Sequence, residues 1–253
     1  MRARMLTDFL TALHFLTIIR TKRELSFDAT ACRRSAVFFP LIGLLIGGLV
    51  WGVDYLLRPV LPTTLLSILL VGLLAVVSRG VHLDGVVKSA DALFGGSDPA
   101  RRTSARGLLG VLALFVILVC KVRALDLLLG GYRDIALLLG PMLGRWACVV
   151  MAYSSRPARD EGPGTTFVHG VQFNEFALAS LIALGVLFTL IEIAGIALVL
   201  PLGGLIIGFT LFCNRRLGGV AGDHWGAMAE LVETAAFCLF VLLARGGTTA
   251  APV

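Results

Sequence analysis

Charge is scarce in this chain. Only 15% of its 253 residues are Asp, Glu, Lys or Arg, against roughly a quarter in a soluble domain. With 57% hydrophobic residues and a mean hydropathy of +0.91, that shortage excludes an ordinary soluble domain and points to a polytopic membrane protein. Cysteine chemistry is missing as well. Cys32, Cys120, Cys148, Cys213 and Cys238 form no CxxC and no Cys/His cluster, so neither a disulfide framework nor a zinc site is implied. They read as inert buried thiols. No small-residue cleavage site follows the apolar stretch 5–19, so a removable signal peptide is not expected. Asp8 and His14 interrupt that stretch, which reads as a short interfacial or re-entrant helix. No domain boundary shows. A single integral membrane domain over 1–253 is expected, with an N-terminal amphipathic segment 1–35 ahead of a bundle over 36–245.

What the chain does have is apolar runs near the length of about 20 residues needed to span a bilayer. They are Phe38–Leu57, Leu61–Val77, Leu108–Leu129, Ile135–Tyr153, Phe176–Ile193, Ile196–Cys213 and Trp225–Ala244. Lys121, Arg123 and Asp126 fall late in the third run and point to an earlier end for it. The expected fold is all-α, with about seven transmembrane helices and counts of six or eight left open. A faint echo between "PLIGLLIGG" (40–48) and "PLGGLIIG" (201–208) is compatible with an internal repeat.

Basic residues alternate between loops. Arg2, Arg4, Arg20, Lys22, Arg23, Arg33 and Arg34 precede the first run; Arg79, Lys88, Arg101, Arg102 and Arg106 lie between the second and third. Arg156 and Arg159 follow the fourth run, and Arg215 and Arg216 follow the sixth. Lysine and arginine mark the cytoplasmic side, so a cytoplasmic N-terminus in a bacterial inner membrane is expected. Orientation and anionic lipid account for the net charge of +6, and nucleic-acid binding is not implied.

Three polar stretches fall on that one face. In "GVHLDGVVKSADALFGG" (80–96), Asp84, Lys88 and Asp91 share a helix face. The two aspartates suit a hard divalent cation, while a salt-bridged surface helix with Lys88 on Asp84 explains the same spacing. In "LGRWACVVMAYSSRPARDEGPGTTF" (143–167), Arg145 lies inside an apolar run and needs a polar partner there. Arg156 and Arg159, closed by Gly162, Pro163 and Gly164, suit phosphate capture by guanidinium forks. In "RRLGGVAGDHWGAMAELVE" (215–233), Glu230 and Glu233 are acids inside a span, where metal or a base is the cheaper partner. Together these stretches suit metal-assisted phosphoryl transfer, in which positioning and charge neutralisation supply most of the catalysis.

"HLDG…ADALFGG", "LGRW…RPARDEGPGTTF" and "LGGVAGDHWGAMAELVE" follow an N-terminal "FLTALHFLTIIR…FFPLIGLLIGG". In order and spacing these segments resemble the adenosylcobinamide-GDP ribazoletransferase (cobalamin 5′-phosphate synthase) family over nearly the whole chain. The resemblance implies attack by an α-ribazole hydroxyl, free or 5′-phosphorylated, on adenosylcobinamide-GDP, with release of GMP. It implies Mg²⁺ as cofactor, with Asp84, Asp91, Asp223, Glu230 and Glu233 as metal ligands or their neighbours. Asp84, Asp91, Asp223 and His82 would be catalytic, and Arg145, Arg156, Arg159, Gly162 and Gly164 would bind phosphate. Partners implied are the two substrates, membrane lipid, and a second copy or other cobalamin-assembly enzymes. The chain departs from the family at Lys88 and Thr103, where aspartates are typical. Those departures leave open a site with a single metal, an altered substrate preference, or a weakly catalytic homologue acting as corrinoid carrier or scaffold. A CDP-alcohol phosphotransferase is the rival enzyme class, but its DGxxAR and GxxxDxxxD pattern is absent.

Overall fold

In lipid a backbone has no water to bond, so an apolar run must satisfy its own N–H and C=O groups as a helix. The computed structural model describes residues 2–21, 25, 28–94, 107–155 and 170–246, and among them there is no strand. The helices are α1 (Arg2–Leu16), α2 (Ala29–Ser35), α3 (Phe39–Leu57), α4 (Thr63–Val77), α5 (Val81–Phe94), α6 (Leu108–Leu127), α7 (Gly130–Ser154), α8 (Phe173–Ile191), α9 (Gly195–Leu217) and α10 (Gly222–Arg245). The protein is an all-α membrane protein, as expected.

The expected seven spans are not matched in number. Five helical stretches are long and apolar enough to cross, or six if α4 and α5, bent by 88° where they meet, count as one. Two features lower the count. At 15 residues, α4 reaches about 22 Å, short of the roughly 30 Å hydrocarbon core. The fifth and sixth runs form one apolar stretch of 45 residues, Phe173–Leu217, broken by a 3₁₀ turn at Glu192–Ala194. Nor does the third run stop early. α6 continues to Leu127, because Lys121 is 2% exposed inside the bundle and marks no membrane boundary.

α7 is the central helix, buried along most of its length, whereas α6 presents Val111, Leu112, Phe115 and Val116 outward. Small residues let α7 sit against its neighbours. A Cβ on Gly43 of α3 would lie 2.5 Å from the Pro141 carbonyl oxygen, and one on Gly144 would lie 2.7 Å from that of Ala229 in α10. This is backbone-to-backbone packing of the kind that stabilises helices in lipid, where the hydrophobic effect gives them no reason to associate.

Ion pairs knit one end of the bundle. Asp54 of α3 is fully buried and accepts from Arg133 Nε and Nη2 of α7 at 2.9 and 2.8 Å. Arg58 bonds both Asp54 and Asp134, and Thr64 of α4 donates to Asp126 of α6 at 2.9 Å. At the other end of α4 the chain turns sharply into α5 through Arg79 and Gly80, both at positive φ (56° and 65°). Arg79 Nη2 then donates to the His14 and Phe15 carbonyls at 3.2 and 3.3 Å, docking the end of α1 on that corner. Phe15 stacks on Phe39 and meets Trp225 of α10 edge-on.

Candidate active site at the crossing of α5 and α10

The corner after α4 aims the first turn of α5 at the first turn of α10. Each helix contributes a glycine to the contact. A Cβ on Gly85 would lie 2.4 Å from the Asp223 carbonyl oxygen, and one on Gly226 would lie 2.9 Å from the His82 Cα. With no side chain intervening, Asp84 and Asp223 come together from positions far apart in the chain. Both stand in the first turn of their helices, where the helix dipole favours a negative charge.

Lys88, one turn after Asp84, reaches into the space between them. Its Nζ lies 2.7 Å from Asp84 Oδ2 and 3.6 Å from Asp223 Oδ1, an ion-pair distance. The three side chains are 53% (Lys88), 56% (Asp84) and 50% (Asp223) exposed. At such exposure an ion pair contributes about 0.2–1 kcal/mol, so this group does little to hold the fold together. It is an open, charged surface.

The remaining expected site residues are placed elsewhere. Asp91 accepts from the Gly107 and Gly110 amides, each at 2.9 Å, capping the N-terminus of α6 from outside that helix. Glu230 and Glu233 are buried with two cations. Lys121 Nζ of α6 bonds Glu230 Oε2 and lies 2.7 Å from Glu233 Oε1. Arg145 Nη1 of α7 bonds Glu233 Oε2. His82, 8% exposed, lies within electrostatic reach of Arg145, Glu233 and Lys121. Its Nδ1 is buried with no bonding partner among the described residues, as is Arg145 Nε. Arg156, Arg159, Gly162, Gly164 and Thr103 lie outside the described residues.

For the magnesium ion implied by the resemblance, these positions do not fit a resident site. Among the described residues no three His, Cys, Asp or Glu side chains are grouped to hold a metal. The five acids divide into a helix cap, a buried ion cluster, and an open pair already bridged by Lys88. Sequence reasoning missed Lys121 as the partner of both glutamates. One sign of it was available: Lys121, like Glu230 and Glu233, falls inside an apolar run, where a charge needs a partner.

Fold and site together define an all-α membrane protein that holds paired carboxylates and a cation at the starts of two crossing helices. Residues 8–241 match the cobalamin-5-phosphate synthase family, and the chain belongs to that family. It is 35% identical to the adenosylcobinamide-GDP ribazoletransferase of Syntrophobacter fumaroxidans, over 93% of this chain and 100% of that protein. The same activity names similar proteins from Geotalea daltonii, 33% identical over 96% of this chain and 99% of that protein, and from Clostridium tetani, 29% identical over 93% and 96%. No solved structure matches.

Proposed function

We propose that this protein is an adenosylcobinamide-GDP ribazoletransferase acting late in cobalamin biosynthesis. Its family and its similarity to proteins of that name support the reading. The observation that carries it is the glycine crossing that brings Asp84 and Asp223 onto Lys88 at an open helix junction. Glycines at 85 and 226 with acids at 84 and 223 are a costly way to build an exposed surface, and a natural way to hold two carboxylates at one point.

The reaction joins α-ribazole, free or as its 5′-phosphate, to the cobinamide-linked phosphorus. A new O–P bond forms, the P–O bond to GMP breaks, and the hydroxyl proton passes to Asp84 or Asp223 as general base. The exposed carboxylates reach an incoming hydroxyl without rearrangement. Arg156 and Arg159, which Gly162 and Gly164 closely follow in sequence, grip the pyrophosphate by bidentate hydrogen bonds. Lys88 neutralises a non-bridging oxygen. Magnesium enters as a counter-ion on the pyrophosphate, as substrate. Asp91, Glu230 and Glu233 act as positioning residues, and Arg145 holds Glu233. His82 joins the buried cluster to the α5–α10 junction and orients a substrate oxygen.

The open face is assigned to the cytoplasmic side of the inner membrane, since positive-inside orientation places residues 80–107 there. Lipid covers the outward face of α6 at Val111, Leu112, Phe115 and Val116, and a second copy or another cobalamin-assembly enzyme is a candidate partner. Purified protein in nanodiscs, given Mg²⁺, adenosylcobinamide-GDP and α-ribazole, should release GMP and form the corrinoid product. Asp84→Asn and Asp223→Asn should each slow product formation by about 10²–10⁴-fold, the usual range for losing a general base. Corrinoid binding without GMP release, or wild-type turnover in both variants, overturns the reading.

A further inference from the structure

We infer that Lys88 is the resident cation of the Asp84–Asp223 pair, standing where a protein-bound divalent ion would bridge two such carboxylates, and that it presents a proton to a phosphate oxygen of the substrate.

The geometry carries this. Two carboxylates converge from different helices because Gly85 and Gly226 let the backbones touch. Converging anions repel, and something positive must sit between them. A hard divalent ion would take oxygen ligands from both carboxylates and complete its shell with water or phosphate. Lys88 Nζ lies in that gap instead, 2.7 Å from one carboxylate and 3.6 Å from the other. An ammonium carries three donor hydrogens. At 2.7 Å Asp84 takes one of them, Asp223 at 3.6 Å lies at ion-pair distance, and donor capacity is left for an incoming acceptor. At half exposure the group is reachable from water. The same exposure means that the pair is not maintained for stability.

A cation built into the chain differs from a bound ion in two ways. It is present at every divalent-ion concentration, and its charge is one unit smaller. The bridged pair therefore keeps one net negative charge, which favours accepting a hydroxyl proton over gripping a pyrophosphate. The inference rests on the proposed reaction for the use made of Lys88, but its test does not.

The test uses full-length protein in phosphatidylcholine nanodiscs without substrate, titrated with Mn²⁺ and read by electron paramagnetic resonance. In the wild-type protein, Asp84→Asn and Asp223→Asn should leave Mn²⁺ binding unchanged. Lys88→Asp should gain one equivalent of Mn²⁺, bound at least tenfold tighter than anything in the wild type, and adding Asp223→Asn should abolish the gain. Lys88→Arg, which keeps the cation, should gain nothing. Acetic anhydride supplies a check on the unmutated chain. The other lysines are Lys22 and the buried Lys121, and acetylation mapped to Lys88 should expose the same Mn²⁺ site. The inference is overturned if Asp84→Asn or Asp223→Asn weakens wild-type Mn²⁺ binding tenfold, since the pair then already holds a metal. It is equally overturned if neither Lys88→Asp nor acetylation creates binding, since the carboxylates then share no common point. Absence of GMP release would refute the proposed reaction and leave these ion measurements as they stand.

Discussion

Two lysines in this protein each stand between two carboxylates, and they differ in almost everything else. Lys121 bridges Glu230 and Glu233 in the interior, with side chains 2%, 5% and 1% exposed. Lys88 bridges Asp84 and Asp223 where α5 crosses α10, with all three side chains about half exposed. The chemistry is the same and the medium is not. Away from water, charges are worth much more to one another and far more costly to leave unpaired, so the inner cluster belongs to the folded state. In water the outer group is weak as a brace and free to exchange partners with a substrate. The difference teaches that burial, not residue type, divides these four carboxylates into braces of the fold and groups left open to water.

The largest expected effect tests the inner half of that contrast. Lys121→Met leaves Glu230 without its cation and should lower stability by about 3–5 kcal/mol, measured as denaturant unfolding in detergent. Adding Glu230→Gln should restore most of the loss, because the buried charge that caused it is gone. If the single change is neutral, the inner cluster is not held as described.

A smaller effect is expected where the two helices touch. Gly85→Ala places a methyl 2.4 Å from the Asp223 carbonyl oxygen, and overpacking of this kind costs about 1–3 kcal/mol. α5 must move away from α10, so activity should fall by more than the stability loss accounts for. Activity unchanged at normal stability would mean that the crossing does not set the site.

The smallest effect sharpens the outer half. Lys88→Gln should change unfolding stability by only about 0.2–1 kcal/mol. A loss as large as that of Lys121→Met would erase the distinction between the two lysines.

Much of the architecture was legible before any coordinates. The apolar runs mark the helices, and the 3₁₀ turn at Glu192–Ala194 falls at the boundary between the fifth and sixth runs. The span count was less legible, since hydropathy marks Leu61–Val77 without showing that its helix has only 15 residues or that the chain turns sharply at Arg79–Gly80. At the site, the charge pattern flagged the stretches that hold Asp84, Asp91, Asp223, Arg145, Glu230 and Glu233, but it does not sort the five acids by partner. Asp91 shows why. It lies on the same face as Asp84 by helical spacing, yet its carboxylate is taken by the amides at the start of α6. Spacing along one helix cannot reveal which neighbouring helix end will come within reach.

By itself the sequence determined that this is an all-α membrane protein, because scarce charge and long apolar runs leave the backbone no other way to be satisfied in lipid. It also determined that acids inside the spans need partners, since an unpaired charge there is too costly to keep. Only the tertiary structure decided which partners. Glycines at 85 and 226 set how closely α5 approaches α10, which adds Asp223 to the Lys88–Asp84 pair, and the packing of α6 beside α10 brings Lys121 to the glutamates. An ion pair forms wherever opposite charges are brought within a few ångströms; within one helix the i,i+4 spacing does that, as for Lys88 and Asp84, but between helices nothing in a linear pattern of charges fixes the distance.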